Sequence, residues 1–381
     1  MKRVIYFLSC LIFVFSLARV EPTNAESGRE LGIATSASLI GVSTDDLDTR
    51  LSNIKSLGAT WIRVDFSWYF IQPNNPNSYN WTQHDRIVRA AEKYDLKVLG
   101  LLSYTPKWAR EPRCNALAKN EIAARKCAPK NIDEFGRFAA AAAYRYKNKN
   151  VRGWEIWNEQ NLTAYWKTVQ SDGTLFVDPK AYARLANMAA TQMRYHTNVA
   201  IVTGGLAPLF EPQPQIGMRQ SDYLKQVLRY LNPDIFDGIG IHPYTWPILP
   251  DRAVEYNAFY TIDNSEPEYN LRTIMTQAGW GNKQIWGTEF GASTKGVRSD
   301  SHPTADNRPD HVSEYTQALI VEQGIEGWQD KSNVGPLFIH SDSDRWLRGQ
   351  KNEGGFGLER SDGTKKPAYD AFKSAAERLE E

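Results

Sequence analysis

Eight short apolar runs, each followed by a longer amphipathic stretch and with no Pro/Ser-rich linker between halves, predict an α/β chain folded as a single (β/α)8 barrel. Polar and aromatic residues gather at the C-terminal ends of these runs, the end where such a barrel exposes its loops. At 381 residues the chain exceeds the roughly 250 that this architecture needs.

The expected strands are Leu31–Thr35, Trp61–Phe66, Lys97–Leu102, Gly153–Trp157, Ala200–Gly204, Gly238–His242, Gln284–Thr288 and Pro336–Ile339. The first helix is announced by Ser43-Thr44 as a cap, followed by Asp45, Asp46 and Asp48 against the positive end of the helix dipole; Leu47, Leu51 and Ile54 then recur at helical spacing. Thr82–Tyr94 carries Ile87, Val88 and Ala91 on one face, and Asp133–Tyr146 is made helical by its alanines. Tyr182–Arg194, Tyr223–Leu231, Tyr269–Ala278, Val312–Gln323 and Pro367–Leu379 complete the helices. An open dinucleotide-binding sheet lacks support, because neither GxGxxG nor GxxxxGK[ST] opens a βα turn. No residue pattern repeats at a fixed period, which excludes a solenoid.

A formal net charge of +1 excludes a polyelectrolyte surface and argues against nucleic acid as a partner. The composition is instead rich in aromatic rings, with 12 Trp and 18 Tyr, most of them expected in the core. Lys2 and Arg3, the apolar run Val4–Leu17 and Thr23-Asn24-Ala25 read as a signal peptide over 1–25, leaving 26–381 as the barrel domain. Too little apolar sequence precedes Cys10 to favour a lipidated alternative. The expectation is therefore a secreted or periplasmic protein, monomeric, with no integral membrane segment after cleavage. In an oxidising compartment Cys114 and Cys127 are expected to pin a charged loop, since without nearby histidines they make a poor zinc site. Asn80-Trp81-Thr82 and Asn161-Leu162-Thr163 are glycosylation sequons that matter only in a glycosylating host.

Position alone selects the candidates for chemistry. Alternation along the second strand puts Arg63, Asp65 and Ser67 on one face; the fourth strand delivers Asn158-Glu159, the sixth His242-Pro243-Tyr244 and the seventh Glu289. Glu159 and Glu289 would thus face each other across the barrel mouth. Paired carboxyls suit glycosidic bond cleavage, in which one protonates the leaving oxygen while the other attacks or activates water. A gap of about 5 Å means retention of configuration, and about 6.5 Å or more means inversion.

Trp157-Asn158-Glu159 and Trp286-Gly287-Thr288-Glu289 resemble the clan of retaining (β/α)8 glycoside hydrolases whose acid/base follows an Asn, and within it families 39 and 5. Phe356-Gly357-Leu358 followed by Asp362-Gly363-Thr364-Lys365-Lys366-Pro367-Ala368-Tyr369 is similar to the closing βα unit of such proteins. The resemblance implies Glu159 as acid/base, Glu289 as nucleophile and Asn158 on the sugar 2-hydroxyl. It places Arg63 and Tyr244 against Glu289, His242 along the subsite, and a carbohydrate as substrate; no cofactor is expected, and no His/Asp/Glu cluster has metal-ligand spacing. The chain departs at the eighth strand, where Phe338-Ile339-His340-Ser341-Asp342 has no immediate Trp and Trp346 would stand in.

Other readings stand beside these. Glu155 shares the inward face of Glu159 and is expected to be structural, paired with a basic neighbour. Arg63 could be a buried ion-pair residue with Asp65, and His242 a hydrogen-bonded core histidine. Trp68, Trp108, Trp166 and Trp246 follow strand ends and are either sugar platforms or packing, with Trp68 and Trp108 expected to bind substrate; His84, His302 and His311 are expected at the surface. A catalytically silent glycan-binding barrel and a transglycosylase are the alternatives in function.

Overall fold

A computed structural model describes residues 30–210, 212–213, 215–254, 257–294, 311–344 and 353–380. The expected signal peptide, His302 and Trp346 lie outside them. Eight parallel strands form a closed barrel in sequential order: β1 (Leu31–Ser36), β2 (Trp61–Ser67), β3 (Lys97–Ser103), β4 (Val151–Asn158), β5 (Ala200–Gly205), β6 (Gly238–Ile241), β7 (Gln284–Phe290) and β8 (Val334–Ile339). β8 returns to β1 through Leu31↔Leu337 to Ile33↔Ile339, so the sheet has no edge.

Eight principal helices alternate with the strands: α1 (Thr44–Ser56), α2 (Thr82–Lys93), α3 (Ile132–Tyr146), α4 (Pro179–Arg194), α5 (Gln220–Val227), α6 (Leu271–Gln277), α7 (Glu314–Gln329) and α8 (Pro367–Glu380). Their starts are fixed chemically. Ser43, Asn131, Asp178, Asn270 and Ser313 each accept a backbone N–H of the following first turn. α4 begins three residues before the expected Tyr182, because Asp178 caps it and Pro179 is preset for the first helical position. α7 runs six residues past the expected Gln323; Gly324 interrupts the pattern but is held where Phe290 packs, since a Cβ there would meet Phe290 Cε1 at 2.0 Å.

The barrel interior is stratified. Ala34, Trp61, Leu99, Val202, Trp286 and Phe338 form an apolar plug in which Trp61 meets Trp286 edge to face at 5.7 Å between centroids. Gly32 leaves the slot for a ring, since a Cβ there would meet Phe338 Cδ1 at 2.4 Å. Nearer the strand C-termini the filling becomes polar and charged, with Arg63 and Glu155 fully buried.

The loop after β3 is not featureless. It contains short helices at Pro112–Leu117 and Glu121–Ala124 and the disulfide Cys114–Cys127, with Cα atoms 5.9 Å apart. Closing so short a segment stabilises the fold by about 3 kcal/mol in a chain-entropy model. Beyond β4, Thr168–Val169 pairs with Leu175–Phe176 in a small antiparallel hairpin that the sequence pattern did not announce.

Candidate active site

The end of β4 is the point from which the site is built. Successive strand residues face opposite ways, yet Asn158 and Glu159 both serve the barrel mouth. The backbone makes this possible by entering the left-handed region at Trp157 (φ 74°) and Glu159 (φ 47°). Such conformations cost non-glycine residues on the order of 1–3 kcal/mol each and persist only where the surroundings fix them. Here Trp157 Nε1 donates to Tyr165 O (2.9 Å), Glu159 N to Gly205 O (3.0 Å) and Gln160 Nε2 to Gly204 O (2.8 Å). Asn161 locks the next step by exchanging hydrogen bonds with Ala207.

Arg63 ties three strands together at the bottom of the mouth. Its guanidinium donates from Nε to Glu155 Oε2 (2.5 Å), from Nη1 to Glu289 Oε1 (2.5 Å) and from Nη2 to Asn158 Oδ1 (2.8 Å). Glu155 spends its other oxygen on Gly205 N (2.8 Å) and Thr288 Oγ1 (3.0 Å). Its role is therefore structural: it orients the arginine that orients Glu289. The basic neighbour expected for it is Arg63, and Arg63 pairs with Glu155 and Glu289 rather than with Asp65.

His242 and Tyr244 approach from the end of β6. His242 Nδ1 lies 2.9 Å from Glu159 Oε1 and 3.6 Å from Glu289 Oε2, and Tyr244 donates its hydroxyl to Glu289 Oε2 (3.0 Å). The histidine ring fits because β5 ends in glycine: a Cβ on Gly205 would meet His242 Nε2 at 2.2 Å. One carboxylate oxygen from each of Glu159 and Glu289 and a nitrogen of His242 all lie within 4.8 Å of one another.

The electrostatics hold Glu289 ionised. Burial opposes charge on Glu289, but His242, Arg63 and His340 together outweigh it and hold its carboxyl well below the usual carboxylate range. Burial likewise opposes charge on His242, and is overcome by Glu289 and by the hydrogen bond and charge of Glu159, which raise its pKa. Arg63 stays cationic for the same reason, burial being outweighed by Glu155 and Glu289. Burial and the nearby carboxylates push Tyr244 well above the ordinary phenol value, so it remains a donor.

Not every expected residue arrives. Trp68 is a correction: the strand passes into a short helix, Trp68–Ile71, that turns the indole beneath α3, where it is fully buried against Phe135 and Phe138 and donates to Gln72 Oε1. Trp108 is half-buried and packs edge to face on Trp68, with Nε1 on Gln72 O (2.8 Å). Trp166 is buried against Trp157, while Trp246 is half-buried against Phe356. His84 is also a correction, being buried with Nε2 on Asp65 O (2.9 Å); burial lowers its pKa to about 4.

Sequence spacing showed no metal cluster, whereas Glu159, His242 and Glu289 do converge, from three different strands. A cation among them would face the Arg63 guanidinium and compete with Tyr244 for Glu289, so the donor set suits a proton or a sugar hydroxyl better than a metal. Tyr104 directly follows β3, as strand-end position expects, whereas Lys126, on the disulfide-bridged loop, is marked by no strand pattern.

No family model matches the sequence, and no curated protein does. Solved structures do match in fold. A family 39 glycoside hydrolase from the gut symbiont Bacteroides cellulosilyticus WH2 aligns with a TM-score of 0.64 at 19% identity, over 93% of this chain and 64% of its own. A family 39 β-xylosidase from Caulobacter crescentus gives 0.63 at 18%, over 90% and 70%. A family 5 subfamily 18 enzyme from Streptomyces cattleya, solved with GlcNAc, gives 0.59 at 15%, over 92% and 80%. The chain thus spans under two thirds of the length of the first of these. In fold, this chain is similar to solved glycoside hydrolases of families 39 and 5.

Proposed function

We propose that the protein is a retaining glycoside hydrolase that cleaves O-glycosidic bonds of a poly- or oligosaccharide by double displacement. The observation that carries this reading is the convergence of Glu159 and Glu289, one oxygen of each lying within 4.8 Å of the other, which favours the close spacing of a retaining pair over the wider one of an inverting pair. Glu289, held ionised by Arg63 and oriented by Tyr244, attacks the anomeric carbon as the bond to the leaving oxygen breaks. Glu159, in hydrogen-bond contact with His242, delivers the proton to that oxygen as general acid. In the second half, Glu159 takes a proton from water, which displaces Glu289 from the same carbon. Asn158, fixed by Arg63 Nη2, is the candidate for the sugar 2-hydroxyl.

Azide distinguishes the two acids. With an activated glycoside, Glu289→Ala should yield a glycosyl azide of inverted configuration and Glu159→Ala one of retained configuration. Identical products from both, or near-normal hydrolysis by either, would contradict the roles. Export is part of the proposal, supported by the Val4–Leu17 run, as is a monomeric state. N-terminal sequencing of the exported protein should begin near residue 26; a mature chain that retains Met1 would contradict it.

A further inference from the structure

One sector of the mouth, bounded by the ends of β2, β3 and β4, holds cations that the reaction above does not use. Arg125 and Lys126 sit consecutively on the loop after β3, next to Cys127. The segment is clamped from both sides: Thr105 N donates to Arg125 O (2.8 Å), Thr105 Oγ1 to Cys127 O (2.6 Å), Lys167 N to Lys126 O (3.1 Å) and Ala128 N to Lys167 O (2.9 Å). With the Cys114–Cys127 bridge, these contacts present the two side chains rigidly.

Among the described residues, neither cation is neutralised by a hydrogen-bonded carboxylate. Lys126 is buried, with Nζ over the rings of Tyr165 (3.7 Å) and Tyr104 (4.3 Å), and among the described residues it forms no ion pair. Arg125 lies over Tyr104 (5.2 Å) and Phe70 (5.9 Å), and its buried Nε has no hydrogen-bond partner. By contrast Arg110, on the same loop, is spent on Glu121. A buried ammonium among aromatic faces keeps unused donors at a cost in desolvation, a cost that an incoming anion relieves. The sector is coupled to the reacting groups, for burial foremost, with Arg125 and Lys167 adding to it, lowers the Lys126 pKa to about 7 against the pull of Glu159 and Asp65. Asp65, itself pushed up to about 6 chiefly by burial and held down in part by Lys126 and Arg125, has a buried Oδ1 without a hydrogen-bond partner. Carboxylates at Glu159, Glu289 and Asp65 would repel an anionic sugar unless cations stood in the same cleft.

We infer that Arg125 and Lys126 form a subsite for a sugar bearing an anionic substituent, a carboxylate or a sulfate ester, so that the substrate is an acidic glycan. This rests on the glycosidase reading but is tested apart from it. Oligosaccharides of glucuronoxylan, alginate and hyaluronan are paired with the same chains after reduction of their carboxyl groups to hydroxyls; chondroitin sulfate is paired with its desulfated form. Affinity is measured by titration calorimetry on the full-length Glu159→Gln protein, with and without Lys126→Met or Lys126→Arg, and kcat/KM on the corresponding proteins with Glu159 intact.

The expected result is one acidic member bound about tenfold or more tightly than its neutral counterpart, a preference weakened by salt, erased in Lys126→Met and largely restored in Lys126→Arg. The pair that shows it, carboxylate or sulfate, identifies the substituent. Equal affinity within every pair, preference for the neutral members, no binding of any acidic chain, or a preference unchanged in Lys126→Met would overturn the inference. Binding preference without hydrolysis of any pair would instead sink the glycosidase reading and leave the anionic subsite standing.

Discussion

Replacing Arg63 by Met removes one side chain from three acceptors at once and exposes how the site is held. Glu155 and Arg63 are fully buried and Glu289 nearly so, and no other described cation forms a salt bridge with Glu155. Deleting one partner of a buried pair typically costs about 3–5 kcal/mol, because the remaining charge is left uncompensated. With about 2.1 cal/mol/K of unfolding entropy per residue over the barrel domain, residues 26–381, or about 0.75 kcal/mol/K, Tm should fall by about 4–7 °C.

The same substitution has a kinetic signature. The depressed Glu289 pKa means that its ionised form contributes stability fully above the unfolded value of about 4.3, a contribution lost only as pH falls through the lower folded value. Without Arg63 the folded value rises, so the acid limb of kcat/KM should move to higher pH, by about one unit or more, for a loss of about 1.4 kcal/mol or more of selective stabilisation of the carboxylate. Differential scanning calorimetry and a pH–rate profile read the two effects. An unchanged acid limb would refute the assignment of Arg63 as the group that keeps Glu289 ionised, whatever happened to Tm.

Further outcomes follow from the same geometry. Tyr244→Phe removes the donor to Glu289 Oε2 and should lower kcat by about 10-fold or more while leaving Tm within about 2 °C; a change confined to KM would make the tyrosine a substrate contact only. Trp68→Ala should cost about 3–5 kcal/mol in denaturant titrations through the cavity beneath α3, and a specific rise in KM without loss of stability would restore it as a sugar platform. Cys114→Ser with Cys127→Ser should lower stability by about 3 kcal/mol, measured under oxidising conditions; no change would mean the bridge does not form in solution.

The strands were legible because a barrel strand is short, apolar and bounded by polar residues. Each observed strand overlaps its expected range, and differences are confined to the ends, where β4 begins at Val151 and β7 continues to Phe290. The placement of Glu159, Glu289, Arg63, His242 and Tyr244 at one end of the barrel followed from strand-end position alone. What no local pattern carries is pairing across the barrel. Glu155 and Arg63 are 92 residues apart, and only closure of the sheet makes them partners. Trp68 misled for the opposite reason: it does follow a strand end, but the chain turns into a helix there and carries the ring outward. Lys126 was invisible because its position depends on the disulfide and on Thr105 and Lys167, not on any periodicity.

The central claim is that Glu289 forms a covalent bond to the sugar. Incubation with a panel of activated 2-deoxy-2-fluoro glycosides, in which the second displacement is slowed, followed by mass spectrometry of the intact protein and its peptides, tests it most directly. The account predicts a mass increase of one fluoroglycosyl unit, located on Glu289 and absent in Glu289→Gln. A label on Glu159, or hydrolysis of a cleaved substrate with inversion at the anomeric carbon, would contradict it.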